Sequence, residues 1–103
     1  VRVEIGPVET LPRDRGIRVT VGEERIAMFR VGGEVYAIGD RCSHAEASLA
    51  EGEVFDHEVE CPRHGSEFDL RTGEALSLPA TSPVPTYPVS IENGTVYLLL
   101  EDA

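Results

Sequence analysis

The chain has 103 residues, room for one hydrophobic core and one domain, and its hydrophobic fraction of 41% and charged fraction of 27% are ordinary for a globular protein. Nineteen acidic residues against nine basic ones leave a formal net charge of −10, which repels nucleic-acid phosphates and anionic lipid and argues against both as partners. No window approaches the roughly 18 consecutive apolar residues of a membrane span, and Val1-Arg2-Val3-Glu4-Ile5 lacks the apolar run of a signal peptide, so a soluble, cytoplasmic protein is expected.

Val1 to Ile5 alternates apolar and charged residues with period two, which predicts a strand that Gly6-Pro7 ends. After the polar, turn-rich Leu11 to Gly16, a second strand is expected over Ile17–Val21 and a third over Arg25–Val31. Gly32-Gly33 is expected to supply the positive backbone dihedrals of a tight hairpin into Val35–Ile38. Ala45 to Gly52 reads as a loop or short helical turn. Short strands follow at Glu53–Phe55 and Glu58–Glu60, and another at Glu67–Leu70 before the Arg71–Glu74 turn. Leu78 to Pro88 carries four prolines, which deny a helix or central strand its amide donors, so an extended connection across the surface is expected there. Val89–Glu92 and Thr95–Leu100 flank Asn93-Gly94, a strong hairpin signal. About ten short strands with no convincing amphipathic helix predict an all-β sandwich or partly open barrel.

Arg41 to Phe68 holds both cysteines and all three histidines. Four of the five form two pairs, Cys42-Ser43-His44 and Cys61-Pro62-Arg63-His64, separated by sixteen residues. Two thiolates and two imidazoles from two separate turns are a ligand set for a four-coordinate metal or for an iron–sulfur cluster with mixed ligation. Burial of the cysteines as small hydrophobes is the plainest alternative, and structural zinc is another. Zinc fingers order their ligands Cys, Cys, His, His, whereas here each turn carries one of each. A two-iron cluster can use that alternation, with both thiolates on one iron and both imidazoles on the other. Neutral imidazoles in place of two thiolates remove negative charge and raise the potential, to roughly −150 to +300 mV against about −400 mV for plant-type ferredoxins. His57 has no ligand-spaced companion and is expected to be structural.

These residues resemble the Rieske [2Fe–2S] proteins. Cys42-Ser43-His44 and Cys61-Pro62-Arg63-His64-Gly65-Ser66 look like the family's two cluster-binding loops. Further stretches, Ile26–Val31, Glu34–Ile38, Phe68–Gly73, Leu78–Ala80 and Tyr87–Val89, resemble the soluble Rieske ferredoxins that serve bacterial ring-hydroxylating dioxygenases. The resemblance covers nearly the whole chain. It implies one Rieske domain over 1–103, a β-sandwich whose small cluster-binding portion, about 40–82, presents two loops. It also implies one [2Fe–2S] cluster per chain, with Cys42 and Cys61 on the inner iron and His44 and His64 on the outer one.

Respiratory and photosynthetic Rieske proteins tie the two loops with a disulfide, but the matching positions here are Ala47 and Arg63. Of the serine and tyrosine that hydrogen-bond cluster sulfurs in that class, Ser66 is present and the tyrosine position is Phe68. A potential toward the low end of the Rieske range is therefore expected. With both ligand histidines used, only His57 remains, so a mononuclear two-His-one-carboxylate iron site cannot be built. The expected role is a one-electron carrier from a reductase to a terminal oxygenase, not itself an enzyme. A redox partner in iron–sulfur cluster assembly and the small subunit of a nitrite reductase are the alternatives. Arg41 and Arg63 flank the ligands, and Arg63 is a candidate partner contact.

Overall fold

Strand β3 (Glu24–Val31) carries the run Ile26-Ala27-Met28-Phe29, in which all four residues are buried. An unbroken apolar run, rather than an alternating one, marks a strand covered on both faces. In the computed structural model, which describes residues 2–43, 46–63 and 65–100, β3 lies inside a four-stranded antiparallel sheet of order β2-β3-β4-β8. It pairs with β2 (Gly16–Val21) and β4 (Glu34–Gly39), and β4 pairs in turn with the two-residue β8 (Thr86–Tyr87).

The two faces of this sheet serve different layers. Ile26 and Met28, with Val35 and Ala37 of β4, pack on Val96 and Leu98 from the sheet β1-β10-β9. That sheet comprises β1 (Arg2–Pro7), β9 (Val89–Glu92) and β10 (Thr95–Leu99). Ala27, Phe29, Val31 and Ile38 face the other way, into a cluster with Cys42, Leu49, Val59, Cys61, Phe68 and Leu70. Behind that second cluster stands the small sheet β5 (Glu53–Phe55), β6 (Glu58–Glu60) and β7 (Glu67–Asp69). The all-β expectation holds, with three antiparallel sheets and no α-helix among the described residues. The single core expected from chain length is instead two clusters, because the central sheet is apolar on both sides.

Several boundaries differ from the sequence reading for identifiable reasons. β1 runs on through Gly6-Pro7, because a bulge at Gly6 (φ 138°) shifts the register and Pro7 ends an edge strand that needs no donor there. In the β3–β4 hairpin only Gly32 is in the left-handed region (φ 64°), whereas Asn93 and Gly94 both are (φ 51° and 79°), the type I′ geometry. The proline-rich connection is not wholly on the surface: Ala80 and Val84 are buried, and Thr86–Tyr87 pairs with β4. Pro85 and Pro88 bracket that pairing and limit it to two residues at the sheet edge.

Gly73 seats this connection, which we term the strap. It has φ 77°, its carbonyl accepts Val84 N–H at 2.9 Å, and a Cβ there would stand 2.1 Å from the Val84 carbonyl oxygen. Only glycine fits. In the small sheet, Val54, Val59 and Phe68 form a cross-strand row that includes the buried pair Val59 and Phe68. The next row is Glu53, Glu60 and Glu67, three carboxylates directly opposite one another. Like charges facing across strands repel. Glu60→Gln should stabilise the fold by about 0.2–1 kcal/mol in low-salt urea unfolding, with the gain shrinking at high salt as screening sets in. A loss of stability, or a gain independent of salt, would contradict the repulsion.

Candidate metal centre

The first ligand loop begins where β4 ends. Asp40 accepts Leu49 N–H on its carbonyl at 2.7 Å, and Cys42 N–H donates to the Ala47 carbonyl at 3.1 Å, so the loop is closed like a hairpin. Ser43 lies inside the closure. The second loop starts after β6: Cys61 N–H donates to the Ser66 carbonyl at 2.7 Å and Gly65 N–H to the Cys61 carbonyl at 3.0 Å. Gly65 has φ 76°, a left-handed residue that lets the chain double back within five residues.

The strap binds both loops. Ser43 Oγ donates to the Ser82 carbonyl at 2.6 Å, and Ala80 N–H donates to Ser66 Oγ at 3.0 Å. Farther along the second loop, Glu67 N–H donates to Ser77 Oγ at 2.9 Å. Neither loop therefore stands alone. At the far end of β7, burial disfavours the charged form of Asp69, but the Arg71 amide and guanidinium and the Thr72 amide outweigh it and hold its carboxyl below the usual value. That turn delivers Leu70 into the core beside Phe68.

Cys42 and Cys61 come together in one buried cluster, 3% and 2% exposed, and neither is part of a disulfide. A thiolate withdrawn from water is stable only beside a cation, so two thiols sharing one core suit a metal-bound pair. The donor chemistry fits iron. His44 and His64, the other two expected ligands, lie outside the described residues. His57 is held in the β5–β6 turn, its ring edge-on to Tyr36 at 5.7 Å and its carbonyl accepting Leu70 N–H at 2.8 Å, which accords with a structural role.

The two positions expected to lack a loop-to-loop disulfide are Ala47 and Arg63, and a different contact joins the loops there. Arg63 reaches the Glu46 carbonyl at 3.5 Å, next to Ala47. Glu46 also pairs through its carboxylate with Arg41. Arg41 is thus neutralised locally, whereas the Arg63 side chain is exposed. Ser66 and Phe68 are both fully buried. Since Ser66 Oγ accepts from Ala80, its own hydroxyl hydrogen remains available to donate.

Two residues of this site carried no signal in the residue pairs. Asp40 and Ser48 are buried polar residues that hydrogen-bond each other at 2.7 Å. The only hint in the chain is position: Asp40 follows the last glycine of a strand and precedes Cys42 by two residues.

A Rieske [2Fe-2S] domain model matches residues 1–88. The 3-phenylpropionate/cinnamic acid dioxygenase ferredoxin subunit of Escherichia coli (strain K12) is 48% identical over 103 aligned positions, covering 99% of this chain and 96% of that protein. The ferredoxin of carbazole 1,9a-dioxygenase from Nocardioides aromaticivorans IC177 superimposes with a TM-score of 0.94 at 32% identity, over 98% of this chain and 99% of that one. A ferredoxin in a complex of reduced oxygenase and oxidized ferredoxin in carbazole 1,9a-dioxygenase gives 0.89 at 35% identity, over 94% and 100%. No helix among the described residues is long and apolar enough to cross a membrane.

Ser66→Ala would leave the buried Ala80 amide without its acceptor and release the strap from the second loop. The expected cost is about 1–3 kcal/mol in chemical denaturation. Stability unchanged from the parent would show that the strap does not depend on this bond.

Proposed function

This chain belongs to the Rieske [2Fe–2S] domain family, and on that premise we propose that it is a one-electron carrier between a reductase and the terminal oxygenase of an aromatic dioxygenase system. The single observation that carries the reading is the full-length similarity to dioxygenase ferredoxins, 48% in sequence with E. coli and TM-score 0.94 in structure with N. aromaticivorans. A ferredoxin similar to this chain forms a complex with its oxygenase. The chain is a carrier and not an enzyme.

When bound, the [2Fe–2S] cluster supplies a one-electron couple. Cys42 and Cys61 would hold one iron as thiolates, and His44 and His64 would hold the other through imidazole nitrogens. What supports this ligand set is the spacing of the two pairs and the burial of both cysteines in one core. The closed hairpin around Cys42 and the left-handed turn after Cys61 fix where the ligands start. Ser66, whose Oγ accepts from the Ala80 amide, would keep its hydroxyl hydrogen to donate toward the cluster, while Phe68 would contribute only apolar bulk. The cluster-binding portion is about 40–82 of a single domain spanning 1–103. Two free cysteines kept for ligation rather than a disulfide support a reducing compartment, the cytoplasm.

Purified protein should contain two iron and two labile sulfide per chain, and a colourless zinc protein would end this reading. With one hydrogen-bond donor missing at Phe68, the midpoint potential should lie toward the low end of the Rieske range, and Phe68→Tyr should raise it. A parent value well above ~0 mV would contradict that assignment.

Reconstitution with a reductase and an oxygenase from the same source should restore turnover, whereas transfer only to a nitrite reductase or to cluster-assembly proteins would move the role there. In stopped-flow electron transfer, Arg63→Glu should slow association and alter its salt dependence. An unchanged rate and salt slope would remove Arg63 from the interface.

A further inference from the structure

Asp40 is completely buried, an uncommon place for a carboxylate. It is also completely engaged. Oδ1 accepts Ser48 Oγ–H at 2.7 Å and Ala50 N–H at 3.0 Å, and Oδ2 accepts from the Arg25 guanidinium at 3.3 Å. The backbone of the same residue donates to the Arg25 carbonyl at 3.0 Å and accepts from Leu49 at 2.7 Å. One residue thus joins β3, the end of β4 and the returning limb of the first ligand loop.

The chemistry of this junction demands a carboxylate. All three side-chain partners are donors, so both oxygens must accept. An asparagine would present one acceptor oxygen and turn an N–H₂ toward either the guanidinium or the Ser48–Ala50 donors. A serine would not reach two limbs. Among the described residues Arg25 is the cation paired with this charge: its side chain is 45% exposed, so water screens it, whereas the carboxylate is 0% exposed and its field toward the interior is weakly screened. Cys42 lies two residues along the chain, inside the hairpin whose base Asp40 closes.

We propose that Asp40 is a positioning residue for the first ligand loop and, through its fixed negative charge, holds down the midpoint potential of the centre that Cys42 helps bind. The proposal rests on the carrier reading given above. Removing the carboxylate charge makes reduction easier; removing its guanidinium partner exposes more of that charge and makes reduction harder.

Two variants made in the cluster-loaded, full-length protein separate this from a purely structural role. Asp40→Asn should raise the midpoint potential and accelerate loss of iron to a chelator by about tenfold. Arg25→Gln should leave the fold intact and shift the potential the other way, downward. Opposite signs are the signature of charge, since a loosened loop alone would not reverse direction between the two variants. The proposal is overturned if Asp40→Asn keeps its cluster at the parent potential, or if both variants move the potential in the same direction. Should Asp40→Asn yield no loaded protein, Arg25→Gln decides alone: a fall supports the proposal, and no change or a rise overturns it. Iron and sulfide analysis of the unmodified protein tests the carrier reading separately, before either variant is compared.

Discussion

Two cysteine-bearing loops with no covalent tie must be held at a fixed separation, and in this protein a third segment does it. The strap gives Ser82 to the first loop and the Ala80 amide to the second, and is itself seated by Val84 on Gly73 and by Pro85 on Gly39. Each bond is modest, about 0.5–1.5 kcal/mol net. Their effect comes from sharing one rigid segment, whose Ala80 and Val84 side chains sit in the same core as the two thiols. A proline-rich chain suits this task, since it is stiff and loses little entropy on docking. Together with the contact of Arg63 on the Glu46 carbonyl, the strap links the two loops without a disulfide.

The scaffold beneath is the two-faced central sheet. Because Ile26 and Met28 point to one layer and Ala27 and Phe29 to the other, the ligand-bearing sheet docks on a platform already anchored from behind by β1, β9 and β10. The metal centre is thereby joined to most of the apolar core, and rigid ligands follow from that. Rigidity matters for a carrier, since an electron should move without large rearrangement of the groups around it.

Electrostatics are arranged against stability in two places. Glu53, Glu60 and Glu67 face one another across the small sheet, and Asp40 is a buried anion at the base of a ligand loop. Folding tolerates both because strand pairing and a full set of donors offset them locally. The net charge of −10 is thus not evenly spread, and the end that carries the ligands retains Arg63 as a local basic group.

The chain alone determined the strands, the four ligand candidates and the family, because period-two alternation, Asn-Gly and paired Cys-His spacings are local signals that survive without coordinates. Even the double burial of β3 is legible in the unbroken apolar run Ile26-Ala27-Met28-Phe29. Only the tertiary structure decided that the core is divided in two, that the proline tract is a strap with buried side chains rather than a surface link, and that Arg41 is neutralised by Glu46. It alone also revealed Asp40 as the base of the first loop. The reason is the same in each case: these features depend on which distant residues supply hydrogen-bond donors and apolar surface, and sequence spacing does not encode partners that meet only when three sheets close on one another.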